Sequence, residues 1–248
     1  MARPGCIAVT GASRGIGAAI ALELAHRGYR VGCLSRKGVG PEDREVPAEL
    51  APRMTMAALD VTDEAAGRHV LAGLAASDGG LIGLVNNAGA HLEAPSESCS
   101  SEDFAHVLAV NVTAVFALSR DAYPHLLAAG GGTIVNLGSF FDKLGVRYSA
   151  AYCASKAGVG ALTRCLAVEW AKKGIRVLNV APGYIATDLN RSHRARAAFN
   201  EFLAQRIPTG GPAEAEEVAR LVAALYDEDL PFLTGETIYI DGGQSVMQ

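Results

Sequence analysis

The sequence predicts an α/β fold: a doubly wound, mostly parallel, Rossmann-like sheet with helices on both faces, in a single domain spanning residues 1–248. Three observations carry this. Short β-branched runs alternate with longer Ala- and Leu-rich segments, a glycine turn joins the first strand to the first helix, and no low-complexity run or Pro/Ser-rich linker divides the chain. Parallel neighbours require crossovers, and right-handed crossovers place the helices outside the sheet.

The elements follow in order. An apolar, β-branched strand is expected at 7–10, then an Ala/Leu helix at 15–27, a second strand at 29–34 and a polar loop to Pro52. A strand at 54–59 precedes a helix at 63–77, for which Thr62 or Asp63 would serve as cap. The strand at 81–85 leads to helical stretches over 101–129, a strand at 133–137, a helix at 150–173 and a strand at 175–180. A last helix at 213–226 precedes a strand at 237–240. The segment 188–209 differs in texture: "RSHRARAAF" is basic and irregular in period, and reads as an excursion or substrate lid.

Composition excludes several function classes. With 22 basic and 26 acidic residues and a formal charge of -4, the chain has no electrostatic footprint for nucleic acid or an anionic membrane. Five cysteines without a CxxC pair and six histidines without HExxH spacing suggest neither a disulfide framework nor a metal site. The N-terminus lacks a secretory apolar region, and the longest apolar stretch, 107–118, is broken by Asn111 and shorter than the roughly 20 residues that span a bilayer. A soluble, cytoplasmic protein is expected.

After the first strand comes "TGASRGIG", in which Gly11, Gly15 and Gly17 lead into a helix. A backbone that turns while approaching a pyrophosphate needs glycine, and a helix N-terminus favours negative charge. The GxxxGxG spacing departs from the GxGxxG fingerprint, but its position after the first strand is the right one. The second strand ends in Ser35, Arg36 and Lys37, without the acid that would hold a ribose diol, and Arg14 adds a second cation. NADP(H) is therefore preferred over NAD(H). Asp60, ending the third strand, is placed to accept from an adenine amine.

"RYSAAYCASKAG" sets Tyr148, Tyr152 and Lys156 at intervals of four, on one face if the stretch is helical. Together with "TGASRGIG", "NNAG" at 86–89, Asn111 in "LAVNVTA", Ser139 in "NLGS", "YCASK" at 152–156, "APGYIATD" at 181–188 and "TGETIYIDGG" at 234–243, it resembles the short-chain dehydrogenases/reductases over nearly the whole chain. The likeness is greatest to 3-oxoacyl-[acyl-carrier-protein] reductases and related NADPH-dependent ketoreductases.

That resemblance implies a catalytic tetrad of Asn111, Ser139, Tyr152 and Lys156. It places the cofactor against Gly11, Ser13, Arg14, Gly15, Ile16, Gly17, Ser35, Arg36, Asp60, Val61, Asn87, Ala88, Gly89, Tyr152, Lys156, Pro182, Gly183, Ile185 and Thr187. Thr187 would contact the nicotinamide carboxamide, and Asn111 would serve a water-mediated proton relay. A homotetramer built through the long helices before and after Ser139 is also implied.

Carbonyl reduction needs a hydride for carbon and a proton for oxygen. A phenol is a poor acid near neutrality, but Lys156 one turn from Tyr152 and the positive nicotinamide of the oxidised cofactor favour phenolate. Ser139 would orient and stabilise the substrate oxygen. Read alone, Asn111 equally suits a polar residue satisfying backbone groups, and the asparagines of "NNAG" equally suit pinning of strand ends. Tyr148 falls at or before the helix start, lining the pocket or packing.

Substrate-pocket candidates are His91, Phe140, Phe141, Tyr148, Tyr184 and Leu189, mostly apolar or aromatic, which favours a ketone with a hydrophobic substituent over a sugar. An acyl carrier protein or CoA thioester as partner has weaker support, because "LLAAGGGT" before the fifth strand lacks the basic residues common in carrier-dependent relatives. A secondary-alcohol dehydrogenase working oxidatively is the alternative reading. A non-catalytic dinucleotide sensor would predict a damaged tetrad, and all four residues are present.

Overall fold

The computed structural model describes residues 5–186 and 197–247. Its strands are β1 (Cys6–Thr10), β2 (Arg30–Ser35), β3 (Met54–Ala58), β4 (Leu81–Asn86), β5 (Gly132–Leu137), β6 (Ile175–Pro182), β7 (Ile185–Ala186), β8 (Ala213–Glu214) and β9 (Thr237–Ile240). Its helices are α1 (Gly15–His26), α2 (Glu64–Ala75), α3 (Ser101–Leu108), α4 (Ala114–Ala128), α5 (Ala150–Trp170), α6 (Ala197–Arg206) and α7 (Ala215–Asp227). Among the described residues, seven strands form one parallel sheet in the order β3-β2-β1-β4-β5-β6-β9, and β7 pairs with β8 apart from it.

Both faces of the sheet are dry. Ile7 and Val9 of β1 join a core with Ile20, Leu24 and Val222 beneath α1 and α7, whereas Cys6 and Ala8 join Leu84, Leu118, Ile134 and Leu166 beneath α2, α4 and α5. Side chains alternate faces along a strand, so burial on both sides explains why these strands read as apolar runs rather than alternating patterns.

Helix starts have identifiable partners. Asp63 accepts from the Ala66 amide at 3.0 Å to cap α2, and Ser100 accepts from the Asp103 amide at 3.0 Å to cap α3. Ala213 and Glu214, expected to open the last helix, instead pair with β7, and α7 begins at Ala215. A π turn at Ala109–Thr113 joins α3 to α4. The joined run Ser101–Ala128, 28 residues, is long and apolar enough by composition to cross a bilayer, which the shorter sequence window did not register. Here its buried face, including Leu118 and Leu126, lies in the core beside β4 and β5.

Part of the segment 188–209 is helical. Residues 197–206 form α6, with Leu203 fully buried and Ile207 just beyond it. The pattern of α6 is weakly amphipathic, so its period was not visible in the sequence. Residues 188–196 of the expected lid lie outside the described residues.

The glycine turn is set by contact distances. A Cβ on Gly11, whose φ is 67°, would lie 2.8 Å from Asn87 Nδ2 and 3.0 Å from the Ala88 Cα. One on Gly17 would collide with the Gly11 carbonyl oxygen and Asn87 Nδ2. The first obstacle is backbone and cannot rotate away. Gly17→Ala is expected to lower unfolding free energy by about 1–3 kcal/mol, read as a lower urea midpoint at unchanged slope; unaltered stability would show that the turn relaxes freely.

Candidate active site

The strand order reverses between β1 and β4, which opens a crevice at their carboxyl ends, the usual ligand position in open α/β sheets. Its two lips are stitched together. The Thr10 hydroxyl donates to the Val85 carbonyl at 3.3 Å and accepts from the amides of Asn87 and Ala88 at 2.9 and 3.0 Å. Asn87 Nδ2 returns bonds to the carbonyls of Thr10 and Gly11 at 2.9 and 3.3 Å. Asn86 is buried and donates to Ser119 Oγ and Asn136 Oδ1 at 3.1 and 2.9 Å. Both asparagines of "NNAG" thus hold strand ends.

Ser13, Arg14 and Ile16 lie on the turn that opens α1, and Arg14 and Arg36 project exposed cations from neighbouring strand ends. The Asp60 carboxylate accepts from the Thr62 amide and hydroxyl at 3.0 and 2.7 Å. Those bonds, then the nearby Arg36 and His106, hold its pKa below the usual range. Val61 follows it, partly buried. The Ser35 hydroxyl turns into its own loop, donating to the Val39 carbonyl at 2.7 Å and accepting from the Val39 amide at 3.0 Å.

These residues fit a dinucleotide. Gly11 and Gly15, at φ 67° and 59°, hold backbone that only glycine adopts easily, at the positive end of a 12-residue helix. Gly89 lies beside the tetrad: a Cβ there would stand 3.4 Å from Asn111 Oδ1 and 3.9 Å from Lys156 Nζ, ordinary contact distances.

The tetrad residues converge at the neighbouring strand end. Ser139 follows β5 and starts a short 3₁₀ turn, its Oγ accepting from the Phe141 amide at 3.2 Å. Tyr152 and Lys156 project from the first turns of α5, with the Lys156 ammonium 5.4 Å from the Tyr152 ring centroid. Lys156 is buried and donates to the Leu137 carbonyl at 2.7 Å. Asn111, in the π turn, accepts from the Ala90 amide at 2.8 Å and donates to the Ala90 carbonyl and Ser155 Oγ, both at 2.9 Å. Ser155 in turn donates to the Tyr152 carbonyl at 2.7 Å, so one buried chain of bonds positions α5 against the β4 loop.

Burial governs the ionisation of this cluster. It pushes the Tyr152 phenol up to about 12, and the neighbouring Ser139 hydroxyl only partly opposes it. It pulls Lys156 down to about 8. In the protein alone, desolvation thus disfavours both the phenolate and the ammonium.

On the substrate side, the His91 ring stands edge-on to Tyr152 with centroids 4.6 Å apart, and Phe141 lies 5.9 Å from the same ring. Tyr184 packs on Phe140 and Phe141 at 5.4 and 6.3 Å. Partial burial, then Lys156, lowers the His91 pKa against the opposing pull of Glu93. Tyr148 lies two residues before α5, 51 % exposed, at φ 65°, with its carbonyl accepting from the Ala94 amide at 2.9 Å. Pro182 ends β6, Gly183 donates to the Ile240 carbonyl at 2.9 Å, and Ile185 is buried in β7. Thr187 and Leu189 lie outside the described residues. Among the described residues no group of three or more His, Cys, Asp or Glu side chains could hold a metal ion.

One contributor is invisible in the sequence pattern. The polar loop between β2 and β3 folds back on the glycine turn: the Glu42 amide donates to the Ser13 carbonyl and the Gly15 amide donates to Asp43 Oδ2, both at 2.7 Å. Nothing in "GPEDREVP" distinguishes this from a solvated charge run.

A doubly wound sheet carrying such a cluster beside its switch point places the chain among the nucleotide-binding oxidoreductases. Residues 11–245 match the family model described as enoyl-(acyl carrier protein) reductase. The chain belongs to the short-chain dehydrogenase/reductase family and is an oxidoreductase acting on alcohol and ketone groups. It is 37 % identical to glucose 1-dehydrogenase of Gluconobacter oxydans (strain 621H), over 96 % of this chain and 90 % of that one. It is also 37 % identical to acetoacetyl-CoA reductase of Rhizobium meliloti (strain 1021), over 95 % and 96 %. A crystal structure of a gluconate 5-dehydrogenase from Burkholderia cenocepacia J2315, in complex with NADP and tartrate, superposes with a TM-score of 0.88 at 31 % identity, covering 98 % of this chain and 96 % of that one.

The lysine shift has a consequence for stability. The unfolded chain keeps a proton on Lys156 up to its ordinary 10.5, whereas the native protein releases it near 8. The unfolded state therefore binds more protons in that window, and this group makes unfolding free energy rise with pH across it. In Lys156→Met that rise should vanish, so the stability advantage of wild type grows by up to about 3 kcal/mol across the window. Parallel denaturation profiles for the two proteins would contradict the burial argument.

Proposed function

We propose that the protein reduces a ketone, a 3-oxoacyl thioester or a related mainly apolar carbonyl compound, to a secondary alcohol with NADPH. The observation that carries this is the convergence of Ser139, Tyr152 and Lys156 at one strand end, with the Lys156 ammonium 5.4 Å from the Tyr152 ring centroid. The nicotinamide, when bound, supplies the hydride. Tyr152 gives its phenolic proton to the carbonyl oxygen, and Ser139 donates a hydrogen bond to the same oxygen as charge develops there. Lys156 would hold the nicotinamide ribose and favours phenolate once its charge is no longer isolated in a dry site. Asn111 anchors the β4 loop and orders the water that returns the proton.

Arg14 and Arg36 support NADP(H) over NAD(H), since guanidinium groups suit a 2′-phosphate. The aromatic wall of Phe140, Phe141 and Tyr184 supports an apolar substituent on the substrate. A second reading, oxidation of a polyol or sugar hydroxyl, is supported by the names of the glucose and gluconate dehydrogenase relatives. The acyl carrier as partner has less support than the thioester itself, because no basic cluster precedes β5. Five free thiols suit a reducing, cytoplasmic setting. The exposed apolar faces of α4 and α5, with Phe116 42 % and Val168 82 % exposed, support a homotetramer assembled through these helices.

Two measurements test the reading. In a ketone panel that includes a 3-oxoacyl thioester mimic, NADPH oxidation should exceed NADH oxidation, and Tyr152→Phe should lose at least about a hundredfold in turnover while its NADPH dissociation constant stays within about twofold of wild type. Equal use of NADH would sink the Arg14/Arg36 argument, and full activity in Tyr152→Phe would remove the proposed acid. Light scattering should give four chains per particle, and Phe116→Glu with Val168→Glu should yield smaller species; a wild-type monomer would remove the assembly.

A further inference from the structure

The loop between β2 and β3 engages the polar groups of the glycine turn itself. The Gly15 amide, the first of α1, donates to Asp43 Oδ2 at 2.7 Å. The Glu42 amide donates to the Ser13 carbonyl at 2.7 Å, and Arg44 Nη2 donates to the Gly15 carbonyl at 3.3 Å. Arg44 also pairs with Asp43 at 3.0 Å and with Glu216 on α7, which ties the loop to the helix packed against α1.

A helix N-terminus attracts anions through its free amides and dipole, and in doubly wound folds it attracts the phosphates of a dinucleotide. In this chain a resident carboxylate already takes the first of those amides, one residue from Arg14. We infer that Asp43 is a determinant of cofactor choice: its carboxylate competes for the positive end of α1 and disfavours a 2′-phosphorylated dinucleotide more than its unphosphorylated counterpart. The inference rests on the dinucleotide site proposed above and is independent of the substrate.

The discrimination comes from charge. Two anions drawn to one helix end repel, and a 2′-phosphate brings up to two further negative charges to the side of the crevice where Arg14 and Arg36 stand. Burial raises the Asp43 pKa, but the bonds from Arg44 and the Gly15 amide outweigh it, so the carboxyl is ionised at neutral pH. Arg44 tempers the repulsion without abolishing it, because it is shared with Glu216. Asp43 acts through the Gly15 amide, from a loop that the strand pattern does not mark.

Dissociation constants for NADP⁺ and NAD⁺, measured by calorimetry without substrate, test this in wild type, Asp43→Asn and Asp43→Ala. Asparagine keeps an acceptor for the Gly15 amide and removes the charge. It should tighten NADP⁺ by about three- to tenfold and NAD⁺ by less than about twofold, with the difference shrinking at high salt. Alanine should show the same discrimination together with a lower melting temperature in the cofactor-free protein, since the amide loses its partner. Equal tightening of both dinucleotides, or weaker NADP⁺ binding in the asparagine variant, would overturn the inference alone. Failure of wild type to bind either dinucleotide would overturn the proposed function with it.

Discussion

The Asn87 side chain is where the two halves of the sheet meet. Strands on either side of the β1/β4 boundary run outward in opposite order, so the carboxyl ends at this boundary have no crossover between them. Left alone, two such ends would carry unpaired backbone groups. Asn87 Nδ2 satisfies the carbonyls of Thr10 and Gly11, and Thr10 Oγ1 satisfies two amides of the following loop. That stitch forces Gly11 and Gly17 so close that a methyl group fits at neither position. The closeness of the crevice lips and the entry of α1 follow from it.

The second constraint is dryness. A parallel sheet covered on both faces leaves little water beneath its strand ends, and Asn86 and Asn136 are accordingly paired with each other and with Ser119 and Thr163. The same dryness raises the Tyr152 phenol and lowers Lys156. In water a neighbouring lysine would lower the phenol's pKa by less than about one unit, whereas here burial disfavours each charge. The site is thus poised by burial rather than by proximity alone, and the phenol keeps its proton in the protein by itself.

Polar groups outside the tetrad do much of the positioning. Asn111 and Ser155 link the loop after β4 to the backbone of Tyr152, and Leu137 lends its carbonyl to Lys156. Tyr148, the one non-glycine residue with positive φ among those described, ties the approach to α5 to Ala94. These contacts join loops that follow β4 and β5, which are neighbours in the sheet though about 50 residues apart in the chain.

The alternation of apolar runs, the glycine turn and the Tyr152/Lys156 spacing were legible from residue order, because they depend on local periodicity and on neighbours one helical turn apart. The π turn at Asn111 and α6 were not, since neither has a period that the residues display. The loop after β2 read only as a polar connection, and its carboxylate meets the Gly15 amide, 28 positions away in the chain, only when the chain folds back. The sequence by itself determined which chemical groups exist and which lie on one helix face. Tertiary structure alone decided their ionisation and partners, because desolvation and hydrogen bonds across strand ends depend on what surrounds a group in space, not on what adjoins it in the chain.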